Sequence, residues 1–295
     1  MVQEGDAIRC LCGAVAKDVD AIGGIIRERV CCRQCGLLWR GTMPSDEEMA
    51  EWYRDQYWQQ FGEEQRGEAR ENLCRHVMDM ILVKHPGHGT LVDVGCGAGG
   101  LLMRGVGCGW RGIGFELSKA AVSHARSRGL EVHEQSWLPC PLADDSADAV
   151  TFLNVLDHLA KPFDALKEAR RVLRPGGHIY IRVPNGPLHN QLSRLLSGCG
   201  LPHLTVMHLY GFGRRALSYH LTRLGFEAVD VRTSPPSQAD AYGADGKGRS
   251  FLRHCAKRLD RTVYGMMHRI GMDRWAWGPS VEALARKPLV VVKER

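Results

Sequence analysis

From Thr90 onward the apolar positions follow a repeating rhythm. Short apolar runs at 90–94, 111–115, 130–133, 148–153 and 177–183 alternate with segments whose apolar residues recur at helical spacing, at 99–107, 118–128 and 162–173. The short runs suit strands covered on both faces, and the longer segments suit amphipathic helices. That alternation implies βαβ units and a mostly parallel sheet with helices on both faces. Short turns are expected near 145–147 and 157–159. Residues 186–210, with Gly, Pro and His, read as irregular, and a helix at 213–224 and a strand at 226–231 follow. Residues 233–249 are rich in Pro, Gly, Ser and Asp and read as a loop. Residues 250–270 read as a helix with Leu252, Cys255, Leu259, Val263, Met266, Met267 and Ile270 on one broad face. Strands at 281–285 and 288–292 close the chain, as a hairpin or one bulged strand.

Upstream of Thr90 the pattern changes. Residues 1–42 read as a small β-rich module: Val30, Cys32 and Leu37-Leu38-Trp39 are strand-like, and Gly13, Gly23-Gly24 and Gly36 mark turns. Ser45-Asp46-Glu47-Glu48 is a capping box that opens a helix carrying Met49, Trp52, Tyr53 and Gln56, and aromatics continue through Tyr57, Trp58 and Phe61. A second helix is expected over 63–84, with Leu73, Val77, Met80 and Ile81 at helical spacing, ended by His85-Pro86-Gly87. The expected organisation is a module at 1–42, a helical connector at 43–88 and an α/β domain at 89–295, with a helical insert at 247–274.

Composition narrows the class. The chain has 295 residues, 44% hydrophobic and 24% charged, as in ordinary globular proteins. It contains no run of eighteen apolar residues, and Met1 to Arg9 does not resemble a signal peptide. A cytoplasmic, reduced setting is the expectation. Eleven cysteines without an export signal argue against a disulfide scaffold. The net charge of +6 is compatible with anionic partners without demanding nucleic acid. Five cysteines crowd the first 35 residues. Cys32-Arg33-Gln34-Cys35-Gly36 is a zinc knuckle, two thiols three apart followed by a turn glycine, and Cys10-Leu11-Cys12-Gly13 offers the second pair at tighter spacing. The candidate metal ligands are therefore Cys10, Cys12, Cys32 and Cys35, with Cys31 a possible substitute. A closed four-thiolate zinc site would be structural.

The richest chemical signal is Leu91-Val92-Asp93-Val94-Gly95-Cys96-Gly97-Ala98-Gly99-Gly100, a buried strand that runs into a glycine turn and then a helix. Glycines permit left-handed backbone and close ligand approach, and the helix start offers free N–H groups. The spacing of Gly95, Gly97 and Gly100 fits a dinucleotide site, yet Asp93 would repel a pyrophosphate and suits an amine-bearing ligand. Glu116, at the end of Gly112-Ile113-Gly114-Phe115-Glu116, can take both hydroxyls of a ribose.

Together with Leu138-Pro139, Asn154-Val155-Leu156-Asp157-His158 and Arg171-Val172-Leu173-Arg174-Pro175-Gly176-Gly177, these residues resemble the class I S-adenosylmethionine-dependent methyltransferases. The resemblance runs from about Thr90 to Val231 and returns in the last strand. It implies a Rossmann-like, doubly wound, mostly parallel seven-stranded sheet, preceded here by a zinc-ribbon-like module. It implies S-adenosylmethionine as cofactor, its methionine part held by Asp93, Gly95, Cys96, Gly97 and Gly99. It places the ribose at Glu116 and neighbouring Leu117, the adenine beside Glu134 and Gln135, and Asn154 near the transferred methyl. His208-Leu209-Tyr210-Gly211-Phe212 and the Asp157-His158 pair are similar to the branch with ubiquinone-pathway and sugar- or lipid-modifying O-methyltransferases. His158 and His208 are therefore the candidate bases, and Asn185 in Val183-Pro184-Asn185 a candidate acceptor contact. The expected acceptor is a hydroxyl on a small molecule, sugar or lipid-linked compound. The alternatives are an RNA base methyltransferase that docks through the zinc module and a non-catalytic cofactor-binding subunit. Few basic residues in 1–45 weigh against nucleic acid. The basic residues of 247–274 permit either peripheral membrane contact through 250–270 or a helix packed on the domain.

Overall fold

The computed structural model describes residues 9–14, 19–22, 29–41, 43, 46–55, 58–59, 62, 64–198, 209–235, 262, 266 and 278–289. His208, most of the loop expected at 233–249 and nearly all of the basic helix expected at 250–270 lie outside them. Among the described residues no helix is long and apolar enough to cross a membrane.

The larger sheet has seven strands. In chain order they are β4 (Thr90–Val94), β5 (Arg111–Glu116), β6 (Glu131–Glu134), β7 (Ala147–Leu153), β8 (Leu173–Pro184), β10 (Glu227–Thr233) and β11 (Ser280–Arg286). Across the sheet the order is β10-β11-β8-β7-β4-β5-β6. The five strands from β6 to β8 pair in parallel, and β11 runs antiparallel to both β8 and β10. The chain leaves β4 toward β5 on one side, and β7 pairs on the other. This is the switch point at which open α/β sheets bind ligands.

Helices cover both faces. On one lie α2 (Glu68–Lys84), α3 (Gly100–Gly107) and α4 (Lys119–Ser127), which bury Leu73, Val77, Ile81, Leu101, Leu102 and Val122 against Leu91, Leu153 and Tyr180. On the other lie α5 (Pro162–Val172) and α7 (Arg214–Arg223), whose Leu166, Ala169, Leu217 and Leu221 pack on Val92, Val150, Phe152 and Ile181. The alternation of buried side chains along each strand is what sends successive residues to opposite faces.

A smaller sheet of order β1-β2-β3-β9 carries the N-terminal module: β1 (Val19–Ile22), β2 (Arg29–Cys32), β3 (Leu38–Arg40) and β9 (Tyr210–Gly211). Its last strand belongs to the large domain, with Leu38 opposite Gly211 and Trp39 opposite Tyr210. Arg215 of α7 donates to the carbonyls of Arg33 and Gln34 at 2.7 and 2.8 Å, and Gln34 Nε2 donates to Tyr219 Oη at 3.0 Å. The module is thus stitched to the face that α7 covers. Between them α1 (Asp46–Asp55) carries Met49 and Tyr53 inward.

Three elements differ from the sequence expectation. Residues 186–198 form helix α6 (Gly186–Gly198) rather than an irregular stretch. Pro187 falls in its first turn, where a missing N–H costs no intrahelical bond. The first of the expected terminal strands is β11, which ends at Arg286; Lys287 N–H turns to Gly177 O at 2.8 Å, and 288–289, the described start of the second, are not in a strand. Residues 290–292 of the second expected strand lie outside the described residues. The helix expected over 63–84 is a short 3-10 turn, Glu64–Arg66, followed by α2.

His85, just past α2, meets buried His178 of β8 with Nε2 and Nδ1 2.7 Å apart. One ring must donate and the other accept, so the contact requires an unprotonated nitrogen. Burial pushes His178 down to about 4, with the charges of His85, Lys84 and Arg286 adding to it, and burial also lowers His85. A histidine lowered in the fold contributes stability that is complete above its unfolded value near about 6.5 and is lost as pH falls toward the folded value. The urea midpoint should therefore fall between pH 7 and 4.5, and His178→Gln should flatten that dependence. An equal slope in the variant would assign the loss to other groups.

Candidate active site and metal centre

The four cysteines converge. Cys10 and Cys12 sit on one tight turn, closed by Gly13 N–H to Cys10 O at 2.8 Å. Cys32 ends β2, and the turn to Cys35 is closed by Gly36 N–H to Cys32 O at 2.8 Å. Gly13 and Gly36 both take positive φ (93° and 75°), which a side chain would strain. The four sulfurs lie within 4.8 Å of one another, and the Cys10–Cys35 and Cys12–Cys32 pairs are each 3.5 Å apart. Tetrahedral thiolates around zinc at about 2.3 Å would stand roughly 3.8 Å apart, so the cluster needs little adjustment to close on a metal ion. All four are buried, with no ligand position open toward a substrate. Cys31 lies apart, its sulfur 4.0 Å from Cys32 O. The close C-x-C pair suffices because each knuckle supplies its two sulfurs from one turn.

The glycine loop after β4 is held from beneath by β5. The N–H groups of Gly95 and Cys96 both donate to Phe115 O, at 2.8 and 3.1 Å. Glu116 Oε2 accepts from Gly97 N–H at 2.9 Å, and its Oε1 accepts from Leu117 and Ser118 N–H at 2.8 Å each. Burial raises the Glu116 carboxyl, and these three backbone donors oppose the rise. Gly95 has φ 67°, and a Cβ there would come within 2.4 Å of Val155 Cγ2.

Above the loop opens a cavity of about 400 Å³ at the carboxyl ends of the strands. Of the sequence candidates, Gly95, Gly97, Glu116, Leu117, Gln135, Asn154 and His158 line it. Asp93 does not. It is 1% exposed beneath the loop, where its Oδ1 accepts from Thr151 Oγ1 at 2.6 Å, and burial raises it to about 6. Its Oδ2 is buried with no hydrogen-bond partner. Cys96 turns its sulfur to the sheet, where a Cβ at Gly114 would come within 2.6 Å of it. Gly99 caps α3 with φ 76° and packs on Leu130. Glu134 ends β6 exposed to solvent, off the cavity wall. Asn185 also lies away from the wall, its amide donating to Gly278 O at 2.9 Å.

The sequence reading missed part of the wall. Gln65 and buried Arg70 reach it from the 3-10 turn and α2, and Gln65 Oε1 would stand 3.0 Å from a Cβ at Gly97. Met49 and Tyr53 come from α1, and Phe115, Trp137, Leu138 and Val155 make the remainder largely apolar. The aromatic run Trp52, Tyr53, Tyr57 and Trp58 reads from the sequence as a pocket wall or as packing between the module and the core, and Tyr53 takes the first role; that α2 also folds over the strand ends has no local signal. Asn154 and His158 share the cavity without sharing a helix. Asn154 ends β7 in the left-handed region (φ 58°), and His158 closes the 3-10 turn Leu156–His158. His158 Nε2 lies 3.4 Å from Oδ2 of Asp157, which is 1% exposed, and the Tyr53 ring stands edge-on at 5.8 Å.

A nucleotide-sized cavity over a glycine loop at the switch point, with an acid at the end of the second strand, defines the site class. Residues 65–231, more than half the chain, match the family model described as a methyltransferase domain. The chain belongs to the S-adenosylmethionine-dependent methyltransferases. A ubiquinone biosynthesis O-methyltransferase of Alkalilimnicola ehrlichii is 36% identical over 122 residues, covering 39% of this chain and 48% of that protein. A tRNA (carboxymethyluridine(34)-5-O)-methyltransferase of Mus musculus is 32% identical over 118 residues, covering 38% of this chain and 18% of that protein. The chain spans less than half the length of these curated relatives. In fold it is similar to a SAM-dependent methyltransferase from Archaeoglobus fulgidus, with a TM-score of 0.51 and 19% identity over 78% of this chain and all of that one.

In this methyltransferase the residues fit both groups that the family and the cysteines imply. The four thiols suit a structural zinc ion, and the loop, Glu116 and the cavity suit the cofactor. Purified protein should carry about one zinc per chain, and Cys32→Ser should lose it and melt at lower temperature. Metal analysis by plasma mass spectrometry together with a thermal melt checks this; full metal content in the variant would remove Cys32 from the ligand set.

Proposed function

We propose that the enzyme methylates a hydroxyl oxygen on a small-molecule, sugar or lipid-linked acceptor, with His158 as general base. The observation that carries this reading is His158 on the cavity wall beside the buried Asp157 carboxylate, Nε2 and Oδ2 3.4 Å apart. When bound, S-adenosylmethionine supplies a methyl group on a positively charged sulfur. The His158 imidazole on the cavity wall would take the proton that the acceptor hydroxyl gives up on methylation. Asp157 stabilises the imidazolium that results and holds the ring's orientation. The apolar side chains of Met49, Leu159 and Ala160 exclude water, which strengthens that interaction.

For the cofactor, Glu116 takes the ribose hydroxyls with the lone pairs that its three backbone donors leave. Arg70, a buried cation on the wall, takes the carboxylate of the methionine part. Asp93 acts from beneath the loop, where its charge favours the ammonium group. Gln135, Trp137 and Leu138, on the cavity wall, would hold the adenine.

The test uses S-adenosylmethionine labelled in its methyl group with panels of phenols, glycosides and polyprenyl-linked compounds. His158→Gln should lower kcat by about 100-fold and leave S-adenosylhomocysteine affinity unchanged in calorimetry. Label found on nitrogen, or an unchanged kcat, would overturn the oxygen-directed mechanism. Arg70→Met should weaken S-adenosylhomocysteine by about tenfold or more, and an unchanged affinity would place the carboxylate elsewhere.

An RNA acceptor is the second reading, favoured by the similarity to the mouse tRNA enzyme and by the net charge of +6. Salt-dependent retention of bulk tRNA in a filter assay, with label transferred to it, would favour that reading over the first.

A further inference from the structure

Arg182 is among the largest fully buried side chains of the molecule, at 0% exposure in the middle of the sheet. A guanidinium there is costly unless its donors are met. Three are met by neutral groups: Nε donates to Ser234 Oγ at 2.8 Å, Nη2 to Pro235 O at 3.0 Å, and Nη1 to Asn154 Oδ1 at 2.6 Å. The charge has company on the same sheet face. Glu282 lies opposite Arg182 in the β8–β11 register, where its carboxylate takes Tyr180 Oη at 2.7 Å and His76 Nε2 at 3.0 Å.

The bond to Asn154 decides a polarity. Arginine can only donate, so the amide oxygen of Asn154 must be the atom that faces it. The backbone fixes the rest of the residue: Asn154 N–H donates to Arg182 O at 2.8 Å, and its φ of 58° is one that few residues besides glycine and asparagine hold. Asn154 is therefore tied to Arg182 at both its backbone and its side chain. Its NH₂ group, for which no described residue provides an acceptor, is left for the cavity that Asn154 lines.

We infer that Arg182 is a positioning residue that makes Asn154 a hydrogen-bond donor at the reacting end of the cavity, and so selects acceptors that present an oxygen lone pair over those that present N–H. An amine nucleophile would need an acceptor on this wall, and Arg182 has already engaged the side-chain oxygen of Asn154. The NH₂ group would donate to the acceptor oxygen and stabilise the negative charge that develops there as His158 removes its proton. This inference rests on the proposed cofactor reading, which places Asn154 near the transferred methyl.

The experiment needs no identified acceptor. S-adenosylhomocysteine and sinefungin differ at the reacting position, where sinefungin has a carbon in place of the sulfur and an amine on it in place of the transferable methyl. Calorimetry gives the ratio of their affinities for each protein. Asn154→Asp keeps an oxygen for Arg182 and turns a second one toward the cavity, so the ratio should move toward sinefungin by about tenfold. Arg182→Met frees the amide to turn its oxygen inward and should move the ratio the same way. In an Asn154→Ala background that effect of Arg182→Met should vanish. A ratio within about twofold of wild type in Asn154→Asp would overturn the inference, whether or not the Arg182 variant folds. Failure of wild-type protein to bind S-adenosylhomocysteine at all would instead overturn the cofactor reading on which it rests.

Discussion

Glu116 is the residue on which the geometry of the cofactor site turns. Its carboxylate sits at the end of β5, the strand next to β4, and gathers the N–H groups of Gly97, Leu117 and Ser118. The carbonyl of Phe115 takes two more from Gly95 and Cys96. Five backbone donors of two neighbouring strand ends thus converge on two consecutive residues. A glycine-rich turn is conformationally permissive and loses much entropy when ordered. These bonds are what hold this one in a single shape before any ligand arrives, so that the cavity above it is preformed. The parallel pairing of β4 with β5, Asp93 opposite Gly114 and Val94 opposite Phe115, brings Glu116 within reach of the loop.

The N-terminal module braces the same site. Its strand β3 pairs with β9, and Leu209 and Tyr210 reach the turn beside the cavity and its wall: Leu209 N–H donates to Asp157 O at 3.0 Å, and Tyr210 Oη to Ala160 O at 3.2 Å. Cys32 and Cys35 belong to the same buried cluster as Leu37, Phe212 and Leu217. A closed metal site in so small a β module replaces the hydrophobic core that the module is too short to build. Here it also anchors the strand against which the turn bearing His158 rests.

Polar groups are buried along one edge of this architecture at real cost. Asp93, Asp157 and Arg182 are each nearly or wholly excluded from water. All three lie at the carboxyl ends of the central strands or in the turns that follow, next to the cavity. Groups of this kind do not arise from packing demands, which aliphatic side chains would serve better. Their concentration at one end of the sheet is the physical mark of a site built for a charged ligand.

The sequence alone determined the order of strands and helices from Thr90 to Val231 apart from α6 and β9, the glycine loop and its acid partner, and the four cysteines. Each of these is a local pattern: apolar periodicity, turn glycines and ligand spacing all act over a few residues. The tertiary structure decided which of the candidate residues meet. Gln135 faces the cavity and its neighbour Glu134 does not, because the chain leaves β6 after Glu134 and the bend that follows turns Gln135 toward the strand ends. Asp93 lies below the loop, since its place in β4 directs it into the face that α2 and α3 bury. Arg70 and Tyr53 join the site because α1 and α2 fold over strand ends that follow them by tens of residues in the chain. The turn of the Asn154 amide was beyond any local reading, because it is set by Arg182, a residue on the next strand.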